Sequence, residues 1–410
     1  MSTVSVYIHI PFCTSPCDYC DFFSVPVFTG GTPSIDRLDL FIGAVLGDLE
    51  DQLAFFGVGN VPSVYIGGGT PSVLGGARME RLLSGIKTLL APLDGKPAEF
   101  TVEANPESAD EAFMQVCADG GVNRISLGVQ TFHEASRRQI GRAGSSEPLS
   151  QQLSLVRKYF PNAFSADLIT GLPFQTNAVL ARDIERLLEF QPAHVSLYSL
   201  ILEPETTLGK RAKGKAGLSL PTEDEADSLW IAGRDMLEKA GFAQYEVSNF
   251  ALPGNKCVHN IRYWRMESWL GLGPSASGTV INEAEKGHAT LRGRRFTYPQ
   301  DIDGYIANPR PLLRFAHGEE LSTTDLVQET LLMGFRYRGG PDPRSFRKRF
   351  GYDIADCIPE TIARWRKKDF FETKEPESDL APSREGLLFV NSFLRDAFAE
   401  METNETLRAV

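Results

Sequence analysis

Three cysteines, Cys13, Cys17 and Cys20, stand in the spacing C-x3-C-x2-C within the stretch VSVYIHIPFCTSPCDYCDFF, Val4 to Phe23. Thiols this close do not make a disulfide framework, because one of three is always left over, whereas a metal or cluster engages all three at once. Their number carries chemistry too. A structural zinc site or an ordinary iron–sulfur cluster takes four protein ligands, and a centre meant to react keeps one position open. Phe22, two residues beyond Cys20, supplies no fourth thiolate. Two arrangements satisfy the spacing: a three-cysteine centre open to an exchangeable ligand, or a zinc site completed by His9 or His259.

With Tyr19 before the last cysteine, the motif resembles the signature of radical S-adenosylmethionine (SAM) proteins. That resemblance implies a [4Fe–4S] cluster on Cys13, Cys17 and Cys20, with the methionyl amine and carboxylate of SAM on the fourth iron. The longer string Tyr7-Ile8-His9-Ile10-Pro11-Phe12-Cys13 resembles one branch, the oxygen-independent coproporphyrinogen III oxidases and the HemW-type heme chaperones.

Other residues fall into place around this core. Gly67-Gly68-Gly69-Thr70 frees the backbone to approach a ligand, although a tight strand-to-helix turn uses glycines equally. The resemblance implies that Gly68, Gly69 and Thr70 meet the SAM amino group and that Tyr7 lies near bound SAM. Glu103, at a strand end, is placed to hold a ribose hydroxyl or an ammonium, or else to pair with Arg124 or Arg142. Gln130, Arg142 and Asp167 match family residues around SAM or a second SAM-sized ligand. Phe12, Tyr19, Phe22 and Phe23 form either an apolar sleeve for the centre or ordinary packing. Cys257-Val258-His259-Asn260-Ile261-Arg262-Tyr263-Trp264 resembles the His-Asn-x-x-Tyr-Trp segment of the heme chaperones. It makes His259, Tyr263 and Trp264 candidate heme contacts; an aromatic loop closing a barrel mouth is the plainer alternative.

The resemblance leaves a carrier and an enzyme. The enzyme would be a coproporphyrinogen dehydrogenase-type oxidoreductase, decarboxylating two propionates of coproporphyrinogen III to give protoporphyrinogen IX. Its motif usually adds a cysteine where this chain has Phe22, and a longer lead before the Tyr7 string. Both departures favour a chaperone that binds heme as cargo and passes it to apoproteins, with a low-potential electron donor such as flavodoxin or ferredoxin.

These residues need a scaffold. Strand patterns at Val4–Ile10, Ser63–Ile66, Glu99–Ala104, Arg124–Gly128, Phe164–Ile169 and His194–Leu200 alternate with helical spacing at 38–56, 76–91, 108–119, 147–160 and 178–190. Six strand–helix units predict a parallel sheet. Polar and glycine-rich positions collect at the carboxyl ends of the strands, which points to a barrel. The fold class expected is α/β, a (β/α)6 partial TIM-type barrel over 1–220, as the resemblance also implies. An extension over 221–300 opens with a Thr222-x-x-Glu225 capping box and continues as loops from Tyr245 to about Thr297. A mostly helical domain, 301–410, has helices at Leu321–Phe335 and Leu387–Phe398 and a surface loop from Glu372 to Pro382.

The net charge of −11 and pI near 5.2 argue against nucleic acid as a partner. The basic runs at Arg292–Arg295 and Arg344–Arg349 are short, and allow at most a peripheral membrane contact or a propionate. No apolar stretch approaches the ~18 residues of a span. No secretory leader is visible, and thiols that must stay reduced predict a cytoplasmic protein.

Overall fold

The computed structural model describes residues 2–29, 32–33, 35–142, 146–214, 218–282, 292–308, 318–373 and 379–404. Ser5–Ile10 (β1), Ser63–Gly68 (β2), Glu99–Ala104 (β3), Arg124–Gln130 (β4), Phe164–Thr170 (β5) and His194–Ser199 (β6) run parallel, each hydrogen-bonded to the next. Spatial order therefore follows chain order. A doubly wound sheet would reverse at a switch point, so this progression is that of a partial barrel.

Helices fill the crossovers: Ile35–Phe55 (α1), Gly75–Leu90 (α2), Glu111–Asp119 (α3), Glu134–Gln139 (α4), Ser146–Tyr159 (α5) and Asn177–Leu188 (α6). Their starts obey local chemistry. Asp110 accepts from Phe113 N to open α3, and Thr176 accepts from Val179 N to open α6. Thr207–Lys213 (α7) follows β6, and Glu223–Lys239 (α8) begins with the expected reciprocal bonds between Thr222 and Glu225.

Each barrel strand alternates. Val6, Ile8, Val64, Ile66, Phe100, Val102, Ile125, Leu127, Ala166, Leu168, Val195 and Leu197 enter one core with the apolar faces of the helices, such as Leu38, Ile42, Val45 and Leu49 of α1. The intervening residues face the barrel interior, and most are polar: Ser5, Tyr7, His9, Ser63, Tyr65, Glu99, Thr101, Glu103, Arg124, Ser126, Ser165, Asp167, His194 and Ser196. Ordinary (β/α) barrels pack this space with branched apolar side chains. Here its lining is bonded across strands, as by Ser63 Oγ to Ser5 Oγ at 2.9 Å and Ser165 Oγ to His194 Nδ1 at 2.7 Å.

The segment expected as loops from Tyr245 instead completes the sheet. Ala243–Gln244 (β7) and Asn249–Ala251 (β8) extend it beyond β6. Between the two edges lies a short helix, Val258–Trp264 (α9). Trp269–Leu272 (β9) pairs parallel to β1, and Ser277–Asn282 (β10), Arg292–Thr297 (β11) and Glu319–Leu321 (β12) follow antiparallel. A strand four residues long with a central glycine has little signature of its own; β1 beside it supplies the pairing.

Ile302 and Tyr305, in Ile302–Ala307 (α10), pack into the barrel core. From Leu321 onward a second core gathers Phe335, Phe346, Trp365, Phe370 and Phe393, with Phe370 stacked on Phe393 at 4.4 Å. Its helices include Thr323–Gly334 (α11), and Val390–Thr403 after a 3-10 turn at Gly386–Phe389. The expected loop at Glu372–Pro382 lies partly outside the described residues, and Phe371 bridges Pro382 at its base. Among the described residues no helix is long and apolar enough to cross a membrane.

Candidate functional site

The cysteine loop leaves β1 and returns beside its own start. Val25 N donates to Pro11 O at 2.9 Å and Val27 N to Cys13 O at 2.9 Å, so the loop is closed at its base. Gly69 N bonds Ile10 O at 2.9 Å and Thr70 N bonds Phe12 O at 2.8 Å, locking the glycine-rich turn after β2 against it. A Cβ at Gly69 would stand 2.7 Å from Phe12 O and 3.1 Å from Cys13 Sγ, so only glycine allows this approach. Cys13 Sγ lies 3.3 Å from Thr70 Oγ1.

The loop is also pinned at its far side through Asp18. Asp18 N donates to Ile140 O at 3.0 Å, Leu208 N donates to Asp18 O at 2.7 Å, and Arg211 of α7 reaches Asp18 Oδ2 at 3.0 Å. Gly141, at φ +73°, leaves room for Asp18, whose Oδ1 a Cβ there would meet at 2.9 Å.

All six cysteines are free, and Cys13, Cys17 and Cys20 line one cavity of ≈ 400 Å³. Gly68, Gly69, Thr70, Glu103, Gln130, Arg142 and Asp167 line the same cavity, although they come from four strands and the loops beyond them. Among the described residues no three His, Cys, Asp or Glu side chains converge on one point, as ligands of a single ion do. Burial pushes the Cys20 thiol up to about 11, and Cys17 and Cys13 add to it; a cationic centre among them would reverse this.

Two buried carboxyls line the cavity. Glu103 accepts from Tyr65 Oη at 2.7 Å and from Gly68 N at 3.1 Å, and among the described residues it pairs with neither Arg124 nor Arg142. Burial raises it to about 7. Asp167, bonded by Ser196 and Ser126, is raised to about 6, again by burial. A bound cation would restore both charges.

Arg142 Nη1 donates to Asn105 Oδ1 at 2.7 Å and to Gly128 O at 3.1 Å. Burial works against its charge, but Tyr19 and Cys17 outweigh burial and hold it protonated. Its Nε, and Gln130 Oε1, are buried without a partner among the described atoms. Gln130 sits at φ 66°, where the β4–β5 register shifts. Arg137 Nη1 holds the carbonyls on both sides, Val129 O at 3.3 Å and Thr131 O at 3.2 Å, while Asp183 takes Thr131 Oγ1 at 2.5 Å and Phe132 N at 2.9 Å. A strained residue held this firmly, with an orphaned oxygen in a cavity wall, is set up for a ligand.

Tyr7 departs from this group. Its hydroxyl donates to His9 Nδ1 at 3.1 Å, and His9 Nε2–H donates to Phe23 O at 2.8 Å, so both His9 nitrogens are committed. Tyr7 and His9 line a neighbouring cavity of ≈ 390 Å³, whose wall shares Asp21 and Phe22 with the first. Of the heme candidates, Tyr263 lines this second cavity; His259 and Trp264 line neither.

His259 lies deep in the barrel on α9, 1 % exposed. Glu99 supplies the cap of that helix, accepting from Val258 N at 2.8 Å and His259 N at 3.1 Å. Ser63 Oγ already donates to Ser5, so His259 Nδ1–H donates to Ser63 at 3.0 Å and Nε2 keeps its lone pair, unpartnered. The His259 ring packs 4.6 Å from Tyr263 and 5.1 Å from Tyr65. Neither His9 nor His259 is among the residues lining the cysteine cavity, which disfavours the zinc arrangement.

Sequence reasoning did not single out Tyr65, Asn105, Asp18, Arg211 or Arg137. Asn105, just past the end of β3 and two residues after Glu103, was the most findable; the others act through partners far along the chain.

Residues 7–189 match the radical SAM superfamily domain. The chain is 37% identical to "Heme chaperone HemW" of Lactococcus lactis, over 87% of this chain and 88% of that one. It is 37% identical to the Escherichia coli protein of the same name, over 68% and 70%. It is 35% identical to "Radical S-adenosyl methionine domain-containing protein 1, mitochondrial" of Bos taurus, over 81% and 73%. Among solved structures, coproporphyrinogen III oxidase of E. coli superimposes with a TM-score of 0.76 over 97% of this chain and 90% of that one, at 20% identity, a likeness of fold.

Proposed function

The chain belongs to the radical SAM superfamily and, within it, to the family of the HemW heme chaperones, and from that membership we propose that it binds heme and transfers it to apoproteins. A [4Fe–4S] cluster on Cys13, Cys17 and Cys20 would leave one iron for SAM. When bound, the pair supplies reductive cleavage of the sulfonium to a carbon radical.

The residues of this chain have roles around that pair. Glu103, raised to about 7, takes the cationic end of SAM. Arg142 and Gln130, each with an unmet polar atom, hold its carboxylate and adenosyl portions, and Asp167 a ribose hydroxyl. Gly68, Gly69 and Thr70 admit the ligand to the backbone. For the cargo, Tyr263 faces the neighbouring cavity and His259 packs against its ring from behind, while Trp264 packs with Tyr245, Cys257 and Tyr337.

The observation that carries this reading is the common wall: three free thiols without a fourth, with Glu103, Gln130 and Asp167 from later strands and Arg142 from the loop after α4, around one cavity. The structural likeness to the oxidase is one of fold and does not favour decarboxylation. The test runs two assays on one anaerobic, reconstituted preparation. Hemin titration should give a bound-heme spectrum, and coproporphyrinogen III with SAM and reductant should remain unconverted. Protoporphyrinogen formation, or the absence of heme binding, would overturn the proposal.

A further inference from the structure

The second cavity has no role in holding SAM, yet its lining is unusual. Its apolar lining comes from widely separated parts of the chain: Phe22 and Phe23 from the cysteine loop, Tyr263 from α9, Trp269 from β9 and Met333 from α11, beside Tyr7 and His9 of β1. Tyr263 meets Trp269 edge to face at 4.9 Å. Its ≈ 390 Å³ lies within the range of small-ligand and cofactor sites, and its surface is mostly carbon. Aromatic edges and faces with a thioether among them suit a flat, polarizable ring.

We propose that this cavity is the seat of the iron tetrapyrrole, with the Met333 thioether as the protein ligand to its iron. The proposal rests on the heme-carrier reading above and says where the cargo sits. Elimination supports Met333. His9 has both nitrogens engaged, by Tyr7 and by Phe23 O. Burial holds the Tyr7 and Tyr263 phenols protonated, far from the phenolate that binds iron, and the Tyr7 hydroxyl is engaged by His9. Asp21 is an exposed, hard carboxylate at the rim. Met333 is half-buried, soft, and uncharged. A thioether is also a weak ligand, as delivery requires. His259, at 1 % exposed behind Tyr263, shapes the wall rather than meeting the metal. Because Asp21 and Phe22 line both cavities, the cargo would lie directly across the loop from the cluster thiols.

The test uses the full chain with its cluster reconstituted, titrated anaerobically with hemin. Met333→Ala should shift the Soret band and weaken binding by ~10-fold or more, about 1.4 kcal/mol. Gln300→Trp, an exposed position on the cavity lining, should weaken binding comparably by filling the opening. Cluster iron and sulfide should be unchanged in both. Hemin binding by both variants with wild-type affinity and spectrum would overturn the seat while leaving the carrier function standing. A wild-type chain that takes up no hemin would overturn both.

Discussion

Tyr65 donates a 2.7 Å hydrogen bond to Glu103, and the ring that makes it lies 5.1 Å from His259. One side chain thus joins the carboxylate at the floor of the cysteine cavity to the histidine on the helix that fills the barrel from below. Neither end was chosen by its neighbour in sequence.

Affinity for SAM should rise with pH. Glu103 is raised to about 7, and a cationic ligand binds its ionised form, so binding strengthens as pH climbs through 7. Anaerobic calorimetry at pH 6 and pH 8 should show tighter binding at pH 8. Glu103→Gln should bind ~10-fold more weakly at pH 8 and with a flatter profile.

In the unliganded chain buried carboxyls should contribute the opposite trend to stability. Glu103, Asp167 and Glu246 have folded-state values above their unfolded ones, to about 7, 6 and 7. Their neutral forms favour folding, so that stability is present below about pH 4 and is lost as pH rises towards 7. Between pH 5 and pH 8 the thermal midpoint of the apo wild-type chain should therefore fall relative to that of Glu103→Gln, which lacks the titrating carboxyl.

Gln130→Gly should be more stable than Gln130→Ala by about 1 kcal/mol, because φ 66° strains any side chain and glycine tolerates it. Both should lose SAM affinity. Equal urea midpoints for the two variants would show that the backbone carries no strain there.

Glu99→Ala should destabilise the chain by about 3 kcal/mol, since it strands the buried His259 N–H and the partly buried Val258 N–H at the start of α9. Glu99→Gln, which keeps an acceptor, should cost less. Hemin affinity should fall in both through Tyr263, with the cluster unaffected.

Gly141→Ala should leave the fold intact but lower the iron retained after reconstitution, because the added Cβ displaces Asp18 between Cys17 and Tyr19. Iron and sulfide per chain, measured against an unchanged far-ultraviolet spectrum, check this.

The barrel was legible because its strands have both a period and a length. Glu99–Ala104 is as expected, and the other five differ by a residue or two at their ends. The capping box at Thr222 is local, and it too is where expected. The site residues at strand ends could be found from their types. What escaped was set at a distance. α9 is seven residues long and its cap comes from Glu99, some 160 positions earlier. β9 exists because β1 lies beside it. The left-handed Gln130 has no residue-type signature, and Arg137 and Asp183 that enforce it carry none either.

The thiols come early in the chain, but the arginine that tethers their loop, Arg211, lies beyond the sixth parallel strand. During synthesis the cysteines therefore emerge long before anything can hold them in shape, and a chain still on the ribosome presents them loose to oxidants. A cluster on these thiols would then depend on some two hundred residues being folded, so its retention would report on the completeness of the barrel.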